Sequence, residues 1–160
     1  MRKLLSFGVA FVLATGAGVV LAQGARSSSA QAARVSVPPL PNPGFAPARP
    51  LDVTRRAYEF AAQNPDVIKY VPCYCGCERS GHGSNESCFV RSRDAKGNVT
   101  AWDSHGWGCT ICIDVAVEAS QMHALGAKPS GIRAAIDRKW RQRFPTSTPT
   151  PVPPPGHEHH

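Results

Sequence analysis

Apolar residues recur at helical spacing in three stretches of the chain, which span residues 52–64, 109–125 and 130–140. Asp52 and Ser130 are good N-cap residues for the first and third stretches. Asn64-Pro65 ends the first helix, and Gly126 suits the C′ position after the second. The pattern therefore predicts three helices, and Pro65 can start a fourth, short helical turn.

The second and third stretches also indicate which helix faces point inward. The core-facing stripe of the second helix comprises Ile111, Val115, Ala119 and Met122. The inner positions of the third helix are Ile132, Ala135, Ile136 and Trp140. On this pattern Met122 is a core residue rather than a thioether ligand. The three tryptophans are likewise interpreted as packing residues: Trp102, Trp107 and Trp140.

Turn-forming residues dominate between the first and second helices, from 78 to 104. Cys88-Phe89-Val90 and residues 99–102 are two short runs that can pair as a hairpin around a turn at 94–98. The expected fold class is therefore mainly α: a small Cys-rich domain of three to four helices with an irregular loop or short hairpin.

The two ends of the chain differ from this central part. Residues 1–22 have the charged start and apolar run of a signal peptide, with cleavage expected after Ala22. The alternative is an uncleaved membrane anchor. Residues 23–50 are Pro-rich and predict a disordered tether, and residues 145–160 predict a disordered tail. The folded domain is expected at 51–144, in a protein that is exported, periplasmic or extracellular, and membrane-tethered if the signal stays.

Size and charge limit what this domain can be. About 90 residues bury only a modest core, so disulfides or a bound metal ion are expected to stabilise the fold. The formal net charge is +7, which favours solubility and weak association with an anionic membrane surface. Nucleic acid is not an expected partner of an exported chain. No paired carboxylates, catalytic triad or phosphate loop is present in the sequence, so an enzyme is not predicted.

Cysteines carry the distinctive chemistry of the sequence. Cys73, Cys75 and Cys77 alternate in a Pro-Cys-Tyr-Cys-Gly-Cys run, about 6.5 Å apart on one face if the run is extended and closer if it turns. His105-x3-Cys109-x2-Cys112 has metal-ligand spacing at a helix start, where thiolates are favoured. The predicted ligands are Cys73, Cys75, Cys77, Cys109 and Cys112, followed by His105, Cys88 and His82.

Three interpretations of these cysteines remain open. A soft metal ion is favoured, Cu(I) first and zinc second, held for buffering, storage or handover to a metal-transfer protein. Alternatively, three disulfides staple an extracytoplasmic binding module that holds no metal. The third interpretation is a thiol–disulfide exchange protein that uses the Cys109/Cys112 pair. Covalent haem is excluded because Ile113, not histidine, follows Cys112.

Three other residue sets are weaker candidates for such a site. Asp103 is a candidate partner that orients a ligating histidine. His123 lies too far along its helix to share a metal ion with Cys112. The tail histidines are candidate weak scavengers of divalent metal or an ordinary polar tail: His157, His159 and His160.

The spacing of these residues resembles that of a known family. The matching positions are Pro72 to Cys77, Gly81-His82, Asn85, Cys88 to Val90, Trp102-Asp103, His105-Gly106, Cys109 and Cys112. They resemble the PCYCGC-motif family of exported bacterial proteins, from about Leu51 to Trp140. Many members of that largely uncharacterised family look like lipoproteins, whereas this signal segment has no cysteine for a lipid. The resemblance implies the domain and export but no activity.

Overall fold

A computed structural model describes residues 36–154 of the protein. The predicted signal peptide, residues 23–35 of the predicted tether and the three tail histidines lie outside the described residues. Within residues 36–154 the fold is mainly α-helical, as predicted, with one small two-stranded sheet. No helix in this part of the chain is long and apolar enough to cross a membrane.

The described elements follow one another in a simple order. The helices are α1 (Leu51–Gln63), α2 (Pro65–Ile68), α3 (His105–Gly108), α4 (Thr110–Ala124) and α5 (Pro129–Trp140). The strands are β1 (Val90–Arg93) and β2 (Val99–Trp102). Two 3-10 turns, Cys77–Ser80 and Glu86–Cys88, lie between α2 and β1. The core forms where α4 packs against α1 and α5.

Helix α1 forms where the sequence predicted it, although its N-cap lies two residues before the predicted Asp52. Pro50 is the N-cap, and Asp52 lies in the first turn, where its carboxylate accepts a hydrogen bond from Arg56 at 2.8 Å. A carboxylate in the first turn also interacts favourably with the helix dipole. The backbone N–H of Asn64 closes the helix on the carbonyl of Phe60.

Helix α4 is rotated relative to the predicted stripe. Val115 and Ala119 are buried as predicted, whereas Ile111 and Met122 are only half-buried. The other buried side chains of the helix are Cys112, Ile113 and Ala116. Residues 111–119 are apolar except for Asp114 and Glu118, so the pattern does not define one narrow face.

The C-terminus of α4 and the whole of α5 agree better with the predictions. Gly126 has φ of +84°, and its N–H donates to the carbonyl of His123 at 2.9 Å, as a C′ glycine does. Helix α5 starts at Pro129 with Lys128 as N-cap, so Ser130 lies inside the first turn instead of capping it. Its buried residues are Ile132, Ile136 and Trp140.

The predicted hairpin is present, with one correction. Strands β1 and β2 are antiparallel, and Arg93 pairs with Val99. The Asp94 carboxylate closes the turn by accepting the N–H groups of Lys96 and Asn98, both at 2.9 Å. Cys88 lies in a 3-10 turn before β1 and not in the strand.

Residues 36–50 pack on the domain, which corrects the prediction of a disordered tether for that part. The indole N–H groups of Trp102 and Trp107 donate to the carbonyls of Pro39 and Phe45, at 2.9 and 2.8 Å. Buried indole N–H groups need acceptors, and a Pro-rich extended backbone leaves its carbonyls free to accept. The Arg49 guanidinium also pairs with Asp114 on α4 at 2.5 Å.

The first part of the predicted tail is ordered in the same way. The N–H of Thr148 donates to the carbonyl of Cys73, and the N–H of Cys73 donates to the Thr148 hydroxyl, both at 2.9 Å. The Thr150 hydroxyl donates to the carbonyl of Gly83 at 2.9 Å. Residues 145–154 therefore form a strap over the cysteine run, where a disordered segment was predicted.

Candidate metal centre

Three separate segments bring the cysteines together: the run at 72–77, the 3-10 turn that ends at Cys88, and the junction of α3 with α4. Asn85 links them. Its backbone N–H donates to the carbonyl of Val71 at 2.8 Å, and its fully buried side-chain amide donates to the carbonyl of Cys112 at 3.3 Å. Because a buried amide needs partners, Asn85 fixes the first and third segments relative to the second.

Gly76 sets the direction of the cysteine run. Its φ of +79° is in the left-handed region that favours glycine, so the run turns instead of continuing extended. After this turn Cys77 starts a 3-10 helix, whereas Cys75 lies on the other side of the glycine. The two cysteines therefore contribute to different groups of donors.

The first group is the outer quartet, which comprises Cys75, His105, Cys109 and Cys112. Its four donor atoms all lie within 4.8 Å of one another. The Cys75 sulfur is 3.3 Å from Nε2 of His105 and 3.6 Å from the Cys112 sulfur. Helix α3 supplies the histidine, and the start of α4 supplies the two other cysteines. Three thiols and one imidazole are a complete tetrahedral donor set for zinc.

The second group is the inner triad, which comprises Cys73, Cys77 and Cys88. Their sulfurs also lie within 4.8 Å of one another, and those of Cys77 and Cys88 are 3.7 Å apart. All three residues are buried, with relative exposures of 0%, 3% and 0%. Nδ1 of His82 lies 3.5 Å from the Cys88 sulfur, beside the triad but outside the set of donor atoms that lie within 4.8 Å of one another.

The two groups are in direct contact. The Cys73 sulfur lies 3.2 Å from Cys75 and 3.4 Å from Cys112, both of the outer quartet. The rings of His82 and His105 have centroids 5.1 Å apart. All eight residues predicted from the sequence as ligands therefore belong to one continuous cluster of sulfur and imidazole donors.

All six cysteines are free thiols. Their contacting sulfurs are 3.2–3.7 Å apart, well beyond the roughly 2.05 Å of a disulfide bond. The three-disulfide staple is therefore not the arrangement in this structure. The crowding itself is what a multidentate thiolate site requires, because several sulfurs must reach each ion.

Hydrogen bonds between the sulfurs distribute negative charge unevenly over the cluster. Cys112 lowers the pKa of Cys73 to about 4, and the contact with Cys109 lowers the pKa of Cys75. The same contacts raise the pKa of Cys112, through Cys109 first, and that of Cys77, through Cys73 first. Neighbouring thiols thus favour the thiolate form of Cys73 and Cys75 and the protonated form of Cys77 and Cys112.

Asp103 lies beside both histidines, but it hydrogen-bonds to the backbone of His105 and not, as the prediction required, to an imidazole ring. Its Oδ1 accepts the backbone N–H of His105 at 2.8 Å. Its Oδ2 lies 3.8 Å from Nε2 of His82 and 3.3 Å from the Arg91 guanidinium. The carboxylate therefore lies near the ring nitrogen of His82 that faces away from Cys88, but beyond hydrogen-bond distance of it.

A polar cavity of about 430 Å³ lies beside this histidine. Its lining comprises Ser80, Gly81, His82, Ser87, Val90, Arg91 and Asp103. The imidazole of His82 thus contacts the inner triad through Nδ1 and borders the cavity. Its side chain is only 10% exposed, although it lies between two glycines in a loop.

Two other residues that support the site were not identified from the sequence. Asn85 is matched only as a motif position in a turn-rich stretch, without a role, and Thr148 lies in a stretch predicted to be disordered. Their long-range contacts reveal what they do. His123 is exposed at the end of α4, remote from both donor groups, as its spacing predicted.

The fold and the site define a small, mainly helical protein built around a cluster of thiols and imidazoles. Residues 31–153 match the model of a family described as "Protein of unknown function with PCYCGC motif". The chain therefore belongs to the PCYCGC-motif family. No curated protein and no solved structure matches the chain.

Proposed function

We propose that this protein binds soft metal ions in its cysteine cluster, Cu(I) first and zinc second, and acts by binding rather than by catalysis. The observation that carries the proposal is the convergence of six free thiols and two imidazoles in one cluster. Cys73 and Cys112, whose sulfurs are 3.4 Å apart, are separated by 39 positions in the chain. The fold therefore assembles this cluster from distant segments.

The contacts between the two donor groups favour Cu(I). Cys73 lies within 3.4 Å of two sulfurs of the outer quartet, so its thiolate is positioned to bridge ions held by both groups. Bridging thiolates suit polynuclear Cu(I), and soft sulfur ligands select this ion. The complete set of three thiols and one imidazole in the outer quartet is the observation that supports zinc as second candidate.

The proposed setting is outside the cytoplasm, in metal buffering, storage or handover to a metal-transfer protein. The apolar start of the chain supports export. The donors of the outer quartet other than Cys112 are half-buried, so a partner's ligands can reach them. The positive formal charge supports a weak association with an anionic membrane surface.

Elemental analysis of the full chain tests this proposal directly. The protein is isolated anaerobically from its native compartment without an affinity tag, and its intact mass is measured before and after thiol alkylation. Bound copper is the expected result, and zinc in its place would establish the second candidate. Three disulfides without metal would establish the stapled module. Free thiols without metal, together with insulin reduction, would establish thiol–disulfide exchange.

Replacing one shared donor gives the matching test by mutation. Cys75→Ser is expected to lower the metal stoichiometry, because its sulfur contacts Cys73, His105 and Cys112. His123→Ala is the control, since this histidine is exposed and remote from the cluster. An unchanged stoichiometry in Cys75→Ser, measured by elemental analysis after loading, would count against the proposal.

A further inference from the structure

The two donor groups differ in their access to solvent. In the outer quartet, Cys75, His105 and Cys109 are half-buried, and only Cys112 is fully buried. In the inner triad all three cysteines are buried. A ligand from solvent or from a partner protein can therefore approach an ion in the outer quartet directly. An ion in the inner triad has no exposed cysteine through which to leave.

His82 is positioned to control access to the inner triad. Its Nδ1 lies 3.5 Å from the Cys88 sulfur, and its ring borders the polar cavity. Asp103 lies 3.8 Å from the other ring nitrogen, and its side chain is only 15% exposed. This carboxylate lies beyond hydrogen-bond distance of the ring but close enough to interact with it electrostatically. The side of the triad at Cys88 is thus covered by the imidazole of His82.

We propose that the cluster contains two ion-binding centres that exchange metal at different rates. The outer quartet releases its ion first, and the inner triad, which His82 covers at Cys88, retains its ion. This inference rests on the proposed function and assigns a different role to each of the two centres. The outer centre is the one that delivers metal to an acceptor, and the inner centre keeps two of the three cysteine segments together during delivery, the run at 72–77 and the turn that ends at Cys88.

Transfer kinetics test the proposal. The full chain is loaded with Cu(I) under anaerobic conditions and mixed with excess bathocuproine disulfonate, and absorbance follows the Cu(I) chelate. Two phases are expected, the second at least about tenfold slower, because the surroundings of a metal site control its access to solvent. The same experiment with Zn²⁺ and a zinc-binding dye applies if zinc is the native ion.

The two histidines provide a matched pair of variants that leave all six thiols in place. His105→Gln is expected to accelerate the fast phase alone, and His82→Gln the slow phase alone. His123→Gln is the control and should change neither phase. Cys109→Ser, which alters a half-buried residue of the outer quartet, should remove most of the fast amplitude and preserve the slow phase.

The outcomes separate this inference from the proposed function. If the loaded protein transfers metal in one phase that both histidine variants alter equally, the donors form one shared centre and the inference is wrong, while metal binding stands. If His82→Gln accelerates the fast phase, the assignment of the two centres is wrong. If the chain binds neither Cu(I) nor Zn²⁺, the proposed function itself fails.

Discussion

Gly106 lies where a side chain has no room. A Cβ atom there would be 2.5 Å from two ring carbons of Phe89 and 2.8 Å from the carbonyl oxygen of Cys88. Backbone and a buried ring cannot move aside cheaply. Gly106→Ala is therefore expected to lower the free energy of unfolding by about 1–3 kcal/mol, measured by chemical denaturation.

A second glycine provides the control for this substitution. Gly131 lies within α5, and no atom lies within 4 Å of its would-be Cβ. Gly131→Ala should raise the free energy of unfolding by about 0.5–1 kcal/mol, because alanine loses less backbone entropy in a helix. If both substitutions change the free energy of unfolding by the same amount and sign, the close contact at Gly106 does not destabilise the alanine variant.

Thr148 shows how one hydroxyl outside the predicted domain acts on the site. It accepts the N–H of Cys73 in a buried environment at 2.9 Å. Thr148→Val leaves this N–H without its acceptor, so a loss of about 1–3 kcal/mol in unfolding free energy is expected. Hydrogen exchange should show faster exchange of the Cys73 amide. Thr146→Val, at an exposed position of the same strap, should change neither quantity.

At the scale of elements, Arg93 connects the hairpin to α1. The last carbonyls of a helix lack partners within it. Arg93 donates to two of them, those of Ala61 and Ala62, at 2.8 and 2.9 Å. The same guanidinium pairs with Glu86 at 2.9 Å, and both side chains are less than one-fifth exposed.

Removal of this guanidinium should therefore be costly. Arg93→Met is expected to lower the free energy of unfolding by about 3 kcal/mol, because it leaves the half-buried Glu86 carboxylate unpaired. Arg91→Met, on the same strand but 63% exposed, should cost less than about 1 kcal/mol. Arg93→Lys should recover little of this lost stability, since one ammonium group cannot donate to all the acceptors that the planar guanidinium reaches. Equal midpoints for the Arg91 and Arg93 variants in thermal denaturation would contradict this role.

The elements also show which parts of the fold are encoded locally. Helices α1 and α5 and the hairpin have periodic apolar residues and turn residues at their ends, so the sequence predicted them within a few residues. The packing of residues 36–50 depends on backbone carbonyls that accept from Trp102 and Trp107. Every residue has such a carbonyl, so no sequence pattern distinguishes an extended segment that packs from one that does not.

At the scale of the whole molecule, the candidate site was predictable in its donors but not in its arrangement. Rare spacing identified the cysteines, and the position of His105 before Cys109 placed it in the same group. The division into an outer quartet and an inner triad depends on the turn at Gly76 and on the buried amide of Asn85. Both features act between segments that are distant in sequence, so the spacing of cysteines along the chain does not predict them.

The cluster connects three segments that are distant in sequence, so metal binding should stabilise the whole domain. A ligand that binds only the folded state adds about 2.7 kcal/mol when its free concentration is a hundredfold above Kd. For a domain of this size each kcal/mol corresponds to roughly 4–8 °C in Tm. Removal of the metal by chelation should therefore lower Tm by about 10–20 °C, measured by calorimetry under anaerobic conditions with a thiol reductant.

The effect of pH on this stabilisation follows from the thiols. The raised pKa values of Cys77 and Cys112 mean that the metal-free protein holds these protons at neutral pH, mainly because neighbouring thiols compete for the charge. A metal ion must displace them, so its affinity rises with pH. The difference in Tm between loaded and metal-free protein should shrink from about pH 8 to about pH 6. A difference that is constant over this range would show that binding releases no thiol protons. Equal Tm values for the loaded and metal-free protein would show that metal binding does not stabilise the fold.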